Sequence, residues 1–181
     1  MPLSVPLSSS VTLRLLTEHD GDAVLAAYER NHSHLLPWEP TRPDEFFTTA
    51  EQTRILTGQI EQYGAGTAYP LVIVEGGIVI GRMTLSGIVR GPFQSASIGY
   101  WIDADHTGRG LATAALRQVV THSRDHLGLH RLEAGTLLHN LGSQKVLANA
   151  GFAPIGVAPE YLKINGTWQD HLLFQRILVS F

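Results

Sequence analysis

Ser97-Ile98-Gly99-Tyr100-Trp101-Ile102 runs into Asp103-Ala104-Asp105-His106-Thr107-Gly108-Arg109-Gly110-Leu111-Ala112, and this stretch bears most directly on chemistry. It reads as a strand, a polar turn with two glycines, and a helix. The free N–H groups of a first helical turn point outward, and the helix dipole adds about half a positive charge there. Glycine lets a phosphate come close to the backbone. A phosphate, and first of all a pyrophosphate, is therefore expected at residues 108–112.

Three readings compete for the turn on pattern alone. A P-loop needs Gly-Lys-Ser/Thr, and no such lysine follows here. A dinucleotide turn fits the strand–turn–helix order, but Thr113 stands at the third glycine position and Glu133 sits early in its strand. A plain β–α reversal explains Gly-x-Gly by itself. His122, His126 and His130 are four apart and invite a metal reading. The helix is expected to end near Gly128, which takes His130 off the face, so no metal site is expected.

The chain has 181 residues, 44% hydrophobic and 16% charged, enough for one globular domain with a core. A net charge of −3 without a Lys/Arg block argues against direct nucleic-acid binding. There is no cysteine, which excludes disulfides, thiolate metal sites and a cysteine nucleophile and makes the cytoplasm the default location. No apolar run reaches the length of a membrane span, and the opening residues lack the basic and apolar regions of a signal peptide.

The elements that must position the turn follow from local pattern. Residues 1–10, rich in Pro and Ser, are expected to be a loose or edge-lying arm. A strand is expected over 11–16, then a helix carrying Ala23, Val24, Ala27 and Tyr28, opened by Thr17 with Asp20 three residues on. Pro37, Pro40 and Pro43 stiffen a loop containing Trp38 and Glu39, and a second helix is expected from near Pro43 towards Tyr63. Two β-rich runs around Gly76-Gly77 make a hairpin. The strand 95–102 carries Gly99, where a bulge is expected. A helix over about 110–126 buries Leu111, Ala112, Ala115, Leu116, Val119 and Val120. A strand from Arg131 to Leu137, a short helix capped by Asn140, and strands over 152–161 and 168–179 complete the chain. Fold class is α/β with a mixed sheet, in one domain spanning 1–181.

The ensemble resembles the GNAT N-acetyltransferases, and within them the ribosomal-protein alanine N-acetyltransferase (RimJ/RimL) branch. The strand, turn and helix over 98–112 are similar to the family's coenzyme-binding unit. Leu127–Ala134 is similar to its next strand, and Asn140-Leu141-Gly142-Ser143 with Gly151-Phe152 to its Asn-x-x-Ser helix. Asn165-Gly166-Thr167-Trp168-Gln169-Asp170-His171 and Leu36-Pro37-Trp38-Glu39-Pro40 are similar to RimJ-like features. One position departs: where the wider family's turn begins with Gln or Arg, Thr107 stands here.

The resemblance implies a three-layer fold with a splayed, mostly antiparallel α+β sheet, and acetyl transfer from acetyl-CoA to an amine in a ternary complex. It implies that the pyrophosphate lies on Thr107, Gly108, Arg109, Gly110, Leu111 and Ala112, with Arg109 adding charge. The pantetheine arm is expected beside Trp101 and Ile102, with an Ile102 N–H facing the thioester oxygen. Asn140 would contact the arm, and Ser143 would return a proton to the thiolate, with Tyr161 as the other donor. Glu160 and Glu39 are the candidate bases, Glu160 ranked first and Glu133 third. Trp38, Glu39 and Tyr161 would line the acceptor groove. The expected acceptor is a protein or peptide N-terminus, a ribosomal protein among them. Acetylation of a small amine (antibiotic, polyamine or aminoacyl-nucleotide) and a coenzyme A-binding sensor are the alternatives. The chain is expected to be a monomer or homodimer, with no metal and no membrane partner.

Overall fold

The computed structural model describes residues 2–178, so Val179 of the expected last strand lies outside the described residues. Eight strands form one sheet: β1 (Ser4–Pro6), β2 (Val11–Leu15), β3 (Tyr69–Glu75), β4 (Ile78–Val89), β5 (Ser95–Ile102), β6 (Arg131–Leu137), β7 (Ala153–Ile164) and β8 (Thr167–Ile177). Their spatial order is β1-β2-β3-β4-β5-β6-β8-β7. Every neighbouring pair is antiparallel except β5 and β6. Helices α1 (Gly21–Arg30), α2 (His32–Leu35), α3 (Thr49–Gly64), α4 (Leu111–Asp125) and α5 (Leu141–Asn149) complete the chain.

Strand alternation builds two cores, one on each face. On β3, Leu71 and Ile73 join Leu111, Ala115, Leu116 and Val119 of α4 and Leu147 of α5. Val72, between them, faces Val24 and Ala27 of α1 and Leu56 of α3. The result is helix, sheet, helix, which is the three-layer α/β arrangement expected.

Several local expectations change. Of the two forms expected for the N-terminal arm, it takes the edge-lying one: Ser4–Pro6 pairs with Thr12–Arg14, which gives these backbone groups partners. The helix expected from Pro43 is broken. A 3₁₀ turn (Asp44–Phe47) stops at Thr48, whose extended backbone and hydroxyl cap α3 by accepting the Glu51 N–H at 3.3 Å. The expected Thr17–Asp20 capping box forms, but on a 3₁₀ turn (Glu18–Asp20) that precedes α1; the buried Asp20 carboxylate accepts the Thr17 N–H (2.7 Å) and two bonds from the Arg14 guanidinium. Gly99 makes no bulge with β4, pairing in register with Thr84; the irregularity falls between Ser86 and Val89. What changes near Gly99 is the other edge. β5 pairs with β6 only over Ser95–Ser97, opposite Arg131–Glu133, and then the two strands part.

Gly81 is where β4 and β5 lie too close for a side chain. A Cβ there would meet the Trp101 carbonyl oxygen at 2.7 Å and Ile102 Cδ1 at 3.0 Å. Gly81→Ala must push β5 away from β4. The expected loss is about 1–3 kcal/mol of stability, as for other overpacked sites, read as a lower urea midpoint.

Candidate active site

β5 runs into Asp103, whose buried carboxylate organises the turn. It accepts Asn31 Nδ2 (2.8 Å), Arg30 Nε (2.7 Å) and the Asp105 N–H (3.0 Å), with His106 Nδ1 at 3.1 Å. Asn31 also accepts the Ala104 N–H through its side-chain oxygen at 2.9 Å. The end of α1 thus clamps the start of the turn. Burial opposes the charge on Asp103, but these donors outweigh it and hold its pKa far below the ordinary carboxylate value.

Thr107 then closes the short 3₁₀ segment, its hydroxyl donating to the Ala104 carbonyl at 2.9 Å. Gly108 (φ +76°) and Gly110 (φ +75°) take the left-handed conformation that glycine tolerates best. Gly110 is the N-cap of α4 and has no side chain to satisfy the first-turn N–H groups. Those donors are left for an anion. Arg109 is not aimed at them: its guanidinium forms a two-pronged pair with Glu75, at 2.8 and 3.0 Å.

The opening between β5 and β6 leaves one backbone edge of β5 without a strand partner. The Asp103 N–H bonds Ile80 on β4. By alternation, Trp101 and Gly99 also turn their backbone groups to β4, while Tyr100 and Ile102 turn theirs into the gap. Of the two positions expected to border the arm, Ile102 has its backbone groups in the gap and Trp101 has them on β4; Tyr100 joins Ile102 there. The Trp101 side chain lies on the α1 face, its ring centre 5.2 Å from that of Tyr28.

On the α4/α5 face, the half-buried Tyr100 spans from β5 to α5. Its hydroxyl lies 2.8 Å from Ser143 Oγ and 3.2 Å from the Ser143 carbonyl oxygen. Burial pushes the Tyr100 phenol up to about 12, against the opposing pull of its bond to Ser143, so it stays protonated. Asn140 caps α5, its Oδ1 accepting the Ser143 N–H at 3.0 Å. Tyr100 carried no expected role; an aromatic inside a strand reads as core until α5 is seen to pack over it.

The loop 36–40 closes over the opposite side. Trp38 packs on His139 with ring centres 5.5 Å apart and planes tilted by 35°, and the Glu39 carbonyl accepts the Asn165 N–H at 3.2 Å. This joins the loop to the β6–α5 connection and the β7–β8 turn. The Glu39 carboxylate is mostly shielded. Burial raises its pKa above the usual carboxylate value, with Arg42 and then Arg82 acting against the shift. Arg82 sits on β4 opposite Trp101.

Glu160 is differently placed. It is exposed on an irregular part of edge strand β7, at φ +46°, with its N–H bonded to Asp170 Oδ1 at 2.9 Å. Tyr161, beside it, lies over Gly135 of β6, and its ring centre is 5.5 Å from that of His171. Glu133 pairs with Arg131. A groove of about 420 Å³ lies alongside, lined by Leu138, His139, Thr167, Trp168, Gln169 and Asp170. His122 and His126 stack on α4, and no group of three metal-ligating side chains forms among the described residues.

A strand with one free edge, leading into an uncapped glycine turn at a helix start, suits an extended amide-bearing arm ending in a pyrophosphate. The fold and site together define an acetyl-CoA-dependent N-acetyltransferase. The chain belongs to the GNAT family: the family model for an acetyltransferase (GNAT) domain matches residues 10–153. It is 32% identical to the [ribosomal protein uS5]-alanine N-acetyltransferase of Escherichia coli, over 94% of this chain and 91% of that one. Among solved structures, it matches the ribosomal-protein-S5-alanine acetyltransferase from Vibrio fischeri with a TM-score of 0.94 and 32% identity, covering 98% of each chain. It also matches Mycobacterium smegmatis RimJ in complex with CoA-disulfide, with a TM-score of 0.89 and 34% identity over 98% of this chain and 86% of that one.

Proposed function

We propose that this acetyltransferase acts on the α-amino group of a protein N-terminus, with ribosomal proteins as the acceptor class. The observation that carries this is the open groove beside β6 and β8, walled by Trp168 and by His139, on which Trp38 packs, and bearing Asp170. Its aromatic walls suit peptide side chains. The relatives named for alanine acetylation of a ribosomal protein support the same class.

Acetyl-CoA supplies an activated thioester. The N–H groups at the start of α4 hold its pyrophosphate, and the backbone groups of Tyr100 and Ile102 align its arm. The Ile102 N–H is the donor placed to stabilise charge developing on the carbonyl oxygen. An α-ammonium has a pKa of about 8, so roughly a tenth is already neutral at pH 7 and little base strength is required. Glu39, shielded and raised in pKa, takes that proton through a water. As the N–C bond forms and the C–S bond breaks, the nitrogen sheds its second proton to water and Ser143 passes a proton to sulfur, regaining one from water, its hydroxyl held by Tyr100.

Ser143→Ala is expected to lower kcat by about tenfold. Tyr100→Phe should do the same, and the double variant should be no worse than either single, because the two hydroxyls act as a unit. The acceptor reading itself is tested with Ala- and Ser-starting peptides against a panel of small amines, following coenzyme A release. Turnover of peptides above small amines supports it; turnover confined to small amines overturns it.

A further inference from the structure

Glu75, the last residue of β3, is as heavily bonded a carboxylate as Asp103 beside the coenzyme turn. Its oxygens accept both arms of Arg109, the Ser10 hydroxyl (2.6 Å) and a contact from His106 Nε2 (3.1 Å). These donors pull its pKa down to about 2, Arg109 foremost and Ser10 next, so it is charged throughout the working range. His106 in turn reaches Asp103, linking Glu75 to the clamp at the end of β5.

Arg109 is the one residue between two left-handed glycines. Such a turn has high freedom, and ordering it on binding costs affinity. A guanidinium locked into a planar pair with a carboxylate on the neighbouring hairpin removes that freedom beforehand. The same pair commits the Arg109 charge to Glu75.

We propose that Glu75 is a positioning residue for the coenzyme: it straps the Gly108–Gly110 turn through Arg109, so that backbone N–H groups alone carry the pyrophosphate. Arg109 therefore acts as a tie within the protein, not as the phosphate ligand that its place in the turn suggests. This rests on the coenzyme reading of the turn.

Titration calorimetry of the full chain with coenzyme A tests it, with thermal melting to check folding. Glu75→Gln and Arg109→Met should each weaken binding about three- to tenfold, and the double variant should bind no more weakly than either single. Pantetheine, which lacks the pyrophosphate and is measured by competition, should bind all four proteins equally. Tighter binding by Glu75→Gln shows that Glu75 competes with phosphate for Arg109, and overturns the inference. So does additive weakening in the double variant, or an unchanged Glu75→Gln. Failure of the unsubstituted protein to bind coenzyme A overturns the coenzyme reading itself.

Discussion

Glu39→Gln is expected to lower kcat for an α-amino acceptor by about a hundredfold while leaving acetyl-CoA binding within about twofold. The carboxylate is shielded by the loop 36–40 and raised in pKa by that burial, which tunes a carboxyl towards general-base work. Gln keeps the size and a carbonyl oxygen but cannot accept a proton. The pH profile carries the sign. With Glu39 intact, kcat rises with pH as its carboxyl ionises, at a value above that of an ordinary glutamate. In Glu39→Gln that limb is lost, and only the acceptor's own ionisation remains. Glu160→Gln, on the exposed β7 irregularity, should stay within about twofold of the unsubstituted enzyme. The opposite ranking, a collapse in Glu160→Gln and none in Glu39→Gln, would move the base to the late strand.

The largest effect on stability is expected at Asp103. Asp103→Ala leaves Arg30 and Asn31 without their acceptor and uncaps the turn, at a cost of about 3 kcal/mol. Arg30 keeps some solvent, which tempers the loss. The pH dependence follows from the depressed pKa. Asp103 binds a proton more readily unfolded than folded, so its stabilisation is complete above the unfolded value of about 4 and is lost as pH falls through the folded one. Urea midpoints measured from pH 6 downward should fall more steeply for the unsubstituted protein than for Asp103→Ala. Coenzyme affinity should fall with the same substitution, since Asp103 shapes the turn that carries the first-turn donors of α4.

Much of this molecule is legible in local pattern. Gly76-Gly77, Asn140 and the Gly108–Gly110 turn each act over a few residues, and there the backbone has few alternatives. Glycine at a position needing positive φ, or Asn at a helix start, carries its own reason in its covalent structure. The amphipathic face of α4 is legible for the same reason, since a 3.6-residue period is local. Thr107 stood out as a departure, and its role proves local too, closing the 3₁₀ segment onto Ala104.

What the chain by itself determined, then, is the set of elements and the turn able to hold a phosphate. Tertiary structure decided which polar groups meet. Asp103 finds Arg30 and Asn31 some seventy residues away, Tyr100 finds Ser143 across β5 and α5, and Glu75 finds Arg109 across the hairpin. It also decided that Glu39 is shielded and Glu160 exposed, and that Tyr100 and Ile102, not Trp101, face the gap. Each of these depends on strand register, where a shift of one residue reverses every side chain and every backbone donor. Register is set by the joint packing of two cores on the two faces of one sheet, a property of the whole chain that no short stretch carries.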